Sequence, residues 1–178
     1  GTLPPLADAV REMRTAVTEA ATVVGSLHGA AALLPSMLGG EGPRDYVIAM
    51  QNNSELRSSG GIIGAIALLH AEGGRISLIQ QASTLDFPVL EQALPLSEST
   101  IALFEDRPGR YLQNITSIPD FTEAAPLIAS RWEQRFGTPV DGVIAVDAVM
   151  TEHLLAVTGP LPFGPFTADQ DNVVSILL

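Results

Sequence analysis

The chain has 178 residues, a formal net charge of -11, and 46% hydrophobic against 16% charged residues. That is ample apolar surface for one core, which excludes disorder for the chain as a whole. The acidic balance excludes nucleic acid as a partner, because phosphate neutralisation needs clustered Lys and Arg, and here all nine basic residues are arginine and scattered. With no cysteine, disulfide and thiolate chemistry are excluded too. An anionic ligand must therefore be held locally, by a few guanidinium groups or by backbone N–H groups.

In chain order, the first predicted element is a helical segment over residues 1–38. Leu6, Val10, Met13, Val17 and Val24 fall near one stripe, with Arg11, Glu12, Arg14 and Glu19 on the remaining surface. Gly25 and Gly29 are expected to bend or end this helix, and Ala30–Leu38 to form a short second one. The uncharged stretch Ala20–Gly40 is too rich in Ala and Gly, and too interrupted by His28 and Pro35, to read as a membrane span. The run Gly39-Gly40-Glu41-Gly42-Pro43 reads as a linker into an α/β domain over residues 39–178.

Tyr46–Met50 and Ile62–His70 are predicted strands, and Glu72-Gly73-Gly74 turns the second into a third at Ile76–Ile79. Ser83–Ser117 reads mostly as loop, with a short helix near Ser97–Phe104. Asp120 and Glu123 have the spacing of a capping box ahead of a helix Phe121–Phe136. Val140–Val146 is a strand, Asp147 caps a helix to Val157, and Gly159-Pro160 stops it. Thr167 reads as the cap of a last helix. The apolar run Val173, Val174, Ile176, Leu177 and Leu178 reads as a helix in progress, so a C-terminal continuation is expected. This order predicts a three-layer-like α/β sandwich with a mixed central sheet, preceded by the helical segment. Its expected sheet core is Ile62, Ile66, Leu68, Ile76, Leu78, Val143, Ile144 and Val146.

One segment is dense in hydrogen-bonding groups between two apolar strands: Gln51-Asn52-Asn53-Ser54-Glu55-Leu56-Arg57-Ser58-Ser59-Gly60-Gly61. Read as a loop on a rigid sheet, it presents binding groups. Arg57 offers a planar fork for a carboxylate or phosphate, and the backbone at Ser59, Gly60 and Gly61 offers N–H groups in a concave arrangement. Asn52, Asn53 and Glu55 complete the candidate set. The alternative is that Asn, Ser and Gly only turn the chain while Glu55 pairs with Arg57 in solvent. Asp86, Arg107, Arg110 and Asn114 are further candidates, the two later arginines facing the Arg57 loop to make an anion pocket. Asp86 also fits an ordinary turn, and Arg107 and Arg110 a solvated surface.

No Walker loop, dinucleotide fingerprint or Gly-x-Ser-x-Gly elbow is present, so the sequence names no cofactor and argues against a serine hydrolase. His28, His70 and His153 lack any zinc-ligand spacing, so no metal site is predicted.

The stretch Gln51–Gly61 continuing through Ile63-Gly64 resembles the signature of the family catalogued as domain of unknown function 4012. Gly42-Pro43-Arg44-Asp45-Tyr46, Asn114 with Pro119-Asp120-Phe121, and Val140–Asp147 running on to Thr158-Gly159-Pro160 fit the same pattern. The resemblance covers about residues 39–178. It implies a bacterial, extracytoplasmic, envelope-associated protein with a membrane anchor upstream of this chain. That family is in turn distantly similar to the LytR-CpsA-Psr proteins, which transfer glycopolymers from a polyprenyl-pyrophosphate carrier using arginines and metal-holding acids. This chain departs from them. Ala82-Ser83-Thr84-Leu85-Asp86 stands where a Pro-Arg-Asp is expected, and Ser58 and Ser59 stand where an acid is expected near Arg57. The leading expectation is a domain that binds an anionic glycan or a polyprenyl-phosphate-linked ligand. The alternatives are a phosphotransferase of LytR-CpsA-Psr type and a structural assembly module without a ligand.

Overall fold

A computed structural model describes residues 31–178 continuously, together with residues 13–15, 17, 18, 21, 25 and 29. Leu6, Val10 and Val24 of the expected stripe lie outside the described residues. Met13 and Val17 are exposed, which removes them from a buried stripe, and Gly25 and Gly29 are helical rather than helix-ending. Residues 31–37 form a helix, α1. Two compact units are distinguished, Gly1–Pro43 with Glu72–Arg75, and Arg44–Ala71 with Ile76–Leu178. The second carries the sheet core and the candidate site.

Three strands open it: β1 (Arg44–Arg57), β2 (Gly60–Glu72) and β3 (Arg75–Ser83). The β2–β3 turn is the two-residue Gly73-Gly74, with φ of 57° and 80°. Positive φ at both positions is what a tight hairpin requires, and glycine supplies it without a steric cost. After the helices described below, β4 (Gly142–Asp147) returns to the sheet, whose order is β3-β2-β1-β4. β1 runs antiparallel to β2 and parallel to β4, so the sheet is mixed.

Between β3 and β4 the chain is more regular than a loop. It contains a 3-10 turn (Thr84–Asp86), α2 (Glu98–Phe104), α3 (Arg107–Arg110), a second 3-10 stretch (Leu112–Ser117) and α4 (Phe121–Phe136). α2 and α4 stand where the sequence predicts them; prolines and polar residues hide only the two 3-10 pieces and α3, because each is just one or two turns long. α4 begins as its cap predicts: the Asp120 side chain accepts the Thr122 N–H at 2.8 Å. Gly137, left-handed at φ 74°, ends it. The capping box does not close. Glu123 reaches across to Ser97 instead, accepting its N–H at 2.9 Å and its hydroxyl at 3.0 Å. Those bonds, with Thr100, hold the Glu123 carboxyl below its ordinary range.

Val47 and Ala49 of β1 pair in register with Leu68 and Ile66 of β2, and all four are buried. They share a core with Ile128 and Trp132 of α4, and with Ile115, Ile118 and Phe87. Trp132, Phe87 and Phe136 form an aromatic triad, with ring centroids 4.4–6.3 Å apart. On β4, Asp147 caps α5 (Ala148–Thr158), its carboxylate accepting the Met150 N–H at 2.7 Å. α5 packs with a short α6 (Val173–Leu177) around Leu155, Ala168 and Val173. Thr167 is not the cap of α6. It lies in β6 (Phe166–Ala168), paired with β5 (Leu161–Phe163), and Asn172 occupies the cap position. The molecule is thus a mixed α/β fold with a four-stranded mixed sheet.

The expected sheet core holds at Ile66 and Leu68, which are buried, while Ile62, Val143, Ile144 and Val146 are half-buried. It fails at Ile76 and Leu78, which are more than half exposed. β3 is the edge strand of the sheet.

Candidate functional site

The segment Gln51–Gly61 is not a loop. It is the end of β1, a two-residue Ser58-Ser59 turn, and the start of β2, with Arg57 paired to Gly60. What departs from a regular ladder is a bulge. Asn52 pairs with Ile62 but the next β1 partner is Leu56, opposite Gly61, so Asn53, Ser54 and Glu55 are extruded. Asn52 steadies the bulge by accepting the Ser54 N–H at 2.8 Å. Asn53 donates its side-chain amide to Asp147 at 2.9 Å, joining the bulge to the end of β4. This donation and the Met150 N–H, which contributes more, hold the Asp147 carboxyl below its ordinary range.

The glycines have a steric role. A Cβ on Gly61 would lie 2.3 Å from the Asn52 carbonyl oxygen, and one on Gly60 would lie 2.4 Å from the Gln51 side-chain oxygen. At Gly61, where the neighbour is backbone, only glycine permits the two strands to approach so closely, and at Gly60 the φ of 127° favours glycine. The expected concave set of free N–H groups is not present. Ser59 donates both its N–H (3.1 Å) and its hydroxyl (2.9 Å) to the Thr116 carbonyl, while Gly60 and Gly61 enter the β1–β2 pairing.

Those two Ser59 bonds tie the hairpin tip to the 3-10 stretch that carries Asn114 and Ser117. The result is an open cleft of about 400 Å3 lined by Arg57, Arg107, Asn114, Ser117, Glu105 and an apolar floor that includes Phe104 and Pro108. Three of the sequence candidates therefore meet: Arg57, Arg107 and Asn114. Among the described residues, Arg57 is half-buried, its Nε is buried without a hydrogen-bond partner, and its one ion pair is a long 3.7 Å contact to the exposed Glu55. Arg107 is exposed and makes a similarly long 3.6 Å pair with Glu105. Glu105 is the one non-glycine residue with positive φ among the described residues, at φ 57°. A backbone so placed is strained by about 1–3 kcal/mol, and such strain concentrates at functional sites. Nothing in the local sequence signals it.

The other candidates lie elsewhere. Arg110 donates its Nε to the Leu90 carbonyl at 2.9 Å and pairs with Asp106 at 3.8 Å, bracing the preceding loop rather than facing Arg57. Asp86 closes a capping box on its own 3-10 turn, accepting the Ser83 N–H at 2.7 Å. Its carbonyl oxygen accepts Arg135 Nε at 2.6 Å. Asn52 lines a separate, largely apolar cavity of about 270 Å3 at the C-terminal ends of β1 and β4. Among the described residues, no group of three or more His, Asp or Glu side chains is placed to hold a metal ion, and no helix is long and apolar enough to cross a membrane.

The strand–bulge–hairpin built on Gln51–Gly61 and the strand–helix unit at Asp147 are held together by the Asn53–Asp147 bond. Both fall within residues 41–178, which match the model of the family described as protein of unknown function (DUF4012). The chain belongs to the DUF4012 family. No curated protein and no solved structure matches it. The family's residues span the cleft in full, from the β1 bulge through Glu105 and Arg107 to Ser117.

Proposed function

We propose that this DUF4012 domain binds an anionic group, a phosphate or carboxylate carried by a glycan or by a polyprenyl-linked carrier, in the Arg57–Arg107 cleft. The observation that carries the reading is Arg57 itself: a half-buried guanidinium with an unpartnered Nε, held beside a second guanidinium and the Asn114 amide. In a protein of net charge -11, free anions are repelled unless local donors outweigh the field. Two guanidinium forks converging on one cleft supply that local excess. Charge-assisted bonds of this kind contribute about 1.5–3 kcal/mol each. Binding rather than transfer is supported by the cleft's one carboxylate, Glu105, which faces Arg107 and has no acidic neighbour in the lining. The proposed setting is the outer side of a bacterial membrane, with an anchor upstream of this chain.

Titration calorimetry with inorganic pyrophosphate and farnesyl pyrophosphate tests the reading. Arg57→Lys keeps the charge and loses the fork, so affinity is expected to fall at least about tenfold, matching the lower end of a charge-assisted bond. The melting temperature is expected to stay nearly unchanged. A large drop in melting temperature with binding intact, or no binding by the native chain, would make Arg57 a scaffold residue and favour the assembly module. Release of phosphate or a transferred chain during the titration would favour the phosphotransferase.

A further inference from the structure

Apart from the cleft, α4 carries a buried guanidinium. Arg131 is 3% exposed and no carboxylate pairs with it among the described residues. Of its five N–H groups, one donates to the Pro88 carbonyl in a short hydrogen bond, while its Nε is buried with no partner. Burial pushes the guanidinium below its ordinary range, for lack of any compensating anion. An arginine nevertheless stays charged at neutral pH. Buried charges in folded proteins are ordinarily paired, because the interior cannot replace their hydration.

Beside Arg131 lies a cavity of about 130 Å3 lined by Phe87, Pro88, Leu90, Gln134 and Arg135. We propose that this cavity is a second binding site, for a small monoanionic carboxylate. Arg131 supplies the buried charge, and Arg135, which spends its Nε on the Asp86 carbonyl, keeps terminal N–H groups for the same anion. The volume equals roughly four water molecules at about 30 Å3 each, the size of a carboxylate with a short tail. Phe87, Pro88 and Leu90 give an apolar wall that suits such a tail, which inorganic phosphate lacks. A guanidinium matches a carboxylate in a bidentate fork.

Trp132, the only tryptophan in the chain, follows Arg131 on α4 and stacks near Phe87 with ring centroids 6.3 Å apart. Its fluorescence reports on this cavity through Phe87, which lines it. The intact chain is titrated with propionate, acetate and inorganic phosphate, against sodium chloride at matched ionic strength. A saturable fluorescence change and a rise in melting temperature are expected with propionate and more weakly with acetate. Phosphate and chloride are expected to give no fluorescence change, whatever phosphate does at the Arg57 cleft. Leu90→Phe fills the cavity from its half-buried wall and is expected to abolish the propionate response with the fold intact. Arg131→Gln is expected to abolish it too, and if that variant fails to fold, Leu90→Phe decides alone. Arg57→Lys is expected to leave the response unchanged, which separates this site from the cleft. No saturable response by the native chain, an equal fluorescence response to phosphate, or a response that survives Leu90→Phe overturns the proposal.

Discussion

β2 and β3 are joined by two glycines and look alike along the chain, since each is a short run of Ile, Leu and Ala. Their fates differ. Ile63, Ile66 and Leu68 of β2 are buried, whereas Ile76, Leu78 and Ile79 of β3 are each more than half exposed. β2 lies inside the sheet, backed by Ile128 and Trp132 of α4, and β3 lies at its edge. The lesson is that apolar content specifies strand formation, while burial depends on which strands acquire a neighbouring layer. Hydrophobic stabilisation follows area removed from water, so equal side chains contribute unequally.

The sharpest way to break this comparison is truncation on β2. Ile66→Ala removes a fully buried side chain and is expected to cost about 2–5 kcal/mol, read by urea denaturation. A loss below about 1 kcal/mol would mean that the face under α4 does not carry the fold.

The junction on the other side of β1 is expected to show an intermediate effect. Asp147 caps α5 and receives the Asn53 amide, so Asp147→Ala should cost about 0.5–2 kcal/mol, the range of a lost N-cap. The Asp147 carboxyl is held below its ordinary value in the fold. Its contribution is therefore fully present above the unfolded pKa of about 3.9 and is lost as pH falls through the lower folded value. Asp147→Asn keeps a capping oxygen and removes the titration. It is expected to flatten the fall in melting temperature between pH 5 and pH 3, measured by circular dichroism, and an unchanged slope would assign the acid sensitivity to other carboxylates.

At the small end, Ile76→Ala on β3 is expected to change stability by no more than about 0.5 kcal/mol, as exposed substitutions do. A loss comparable to that of Ile66→Ala in the same denaturant series would show that β3 is covered in solution.

Much of the site segment was legible as composition and misread as geometry. Asn52, Asn53, Arg57, Gly60 and Gly61 stand out in the sequence because polar and glycine residues interrupt two apolar runs. They do so because the ladder bulges there, with Asn53 turned to Asp147 and the glycines admitting close approach. A bulge is a property of a strand pair, so a single strand's sequence cannot distinguish it from a loop. Arg107 and Asn114 were named as candidates, but their meeting with Arg57 depends on the Ser59–Thr116 bonds. Nothing in the sequence singles out Glu105 or Arg131 as a site residue. The first is marked only by its φ, and the second sits in a helix where arginine is ordinary.

By itself the sequence determined the local elements whose causes are local. These are the Gly73-Gly74 turn, the Asp120 and Asp147 caps, the Gly137 stop, and the apolar runs of β1, β2 and β4. The signature that places the chain in its family is also written there. Tertiary structure decided what depends on residues far apart in sequence: the parallel pairing of β1 with β4, the exposure of β3, the Glu123–Ser97 contact, and the separation of Arg57 and Arg131 into a polar cleft and a smaller, more apolar cavity. Caps and turns are settled within a few residues by hydrogen bonds and φ preferences. Burial, and the chemistry of a buried charge, are settled by whichever distant side chains fill the space around it.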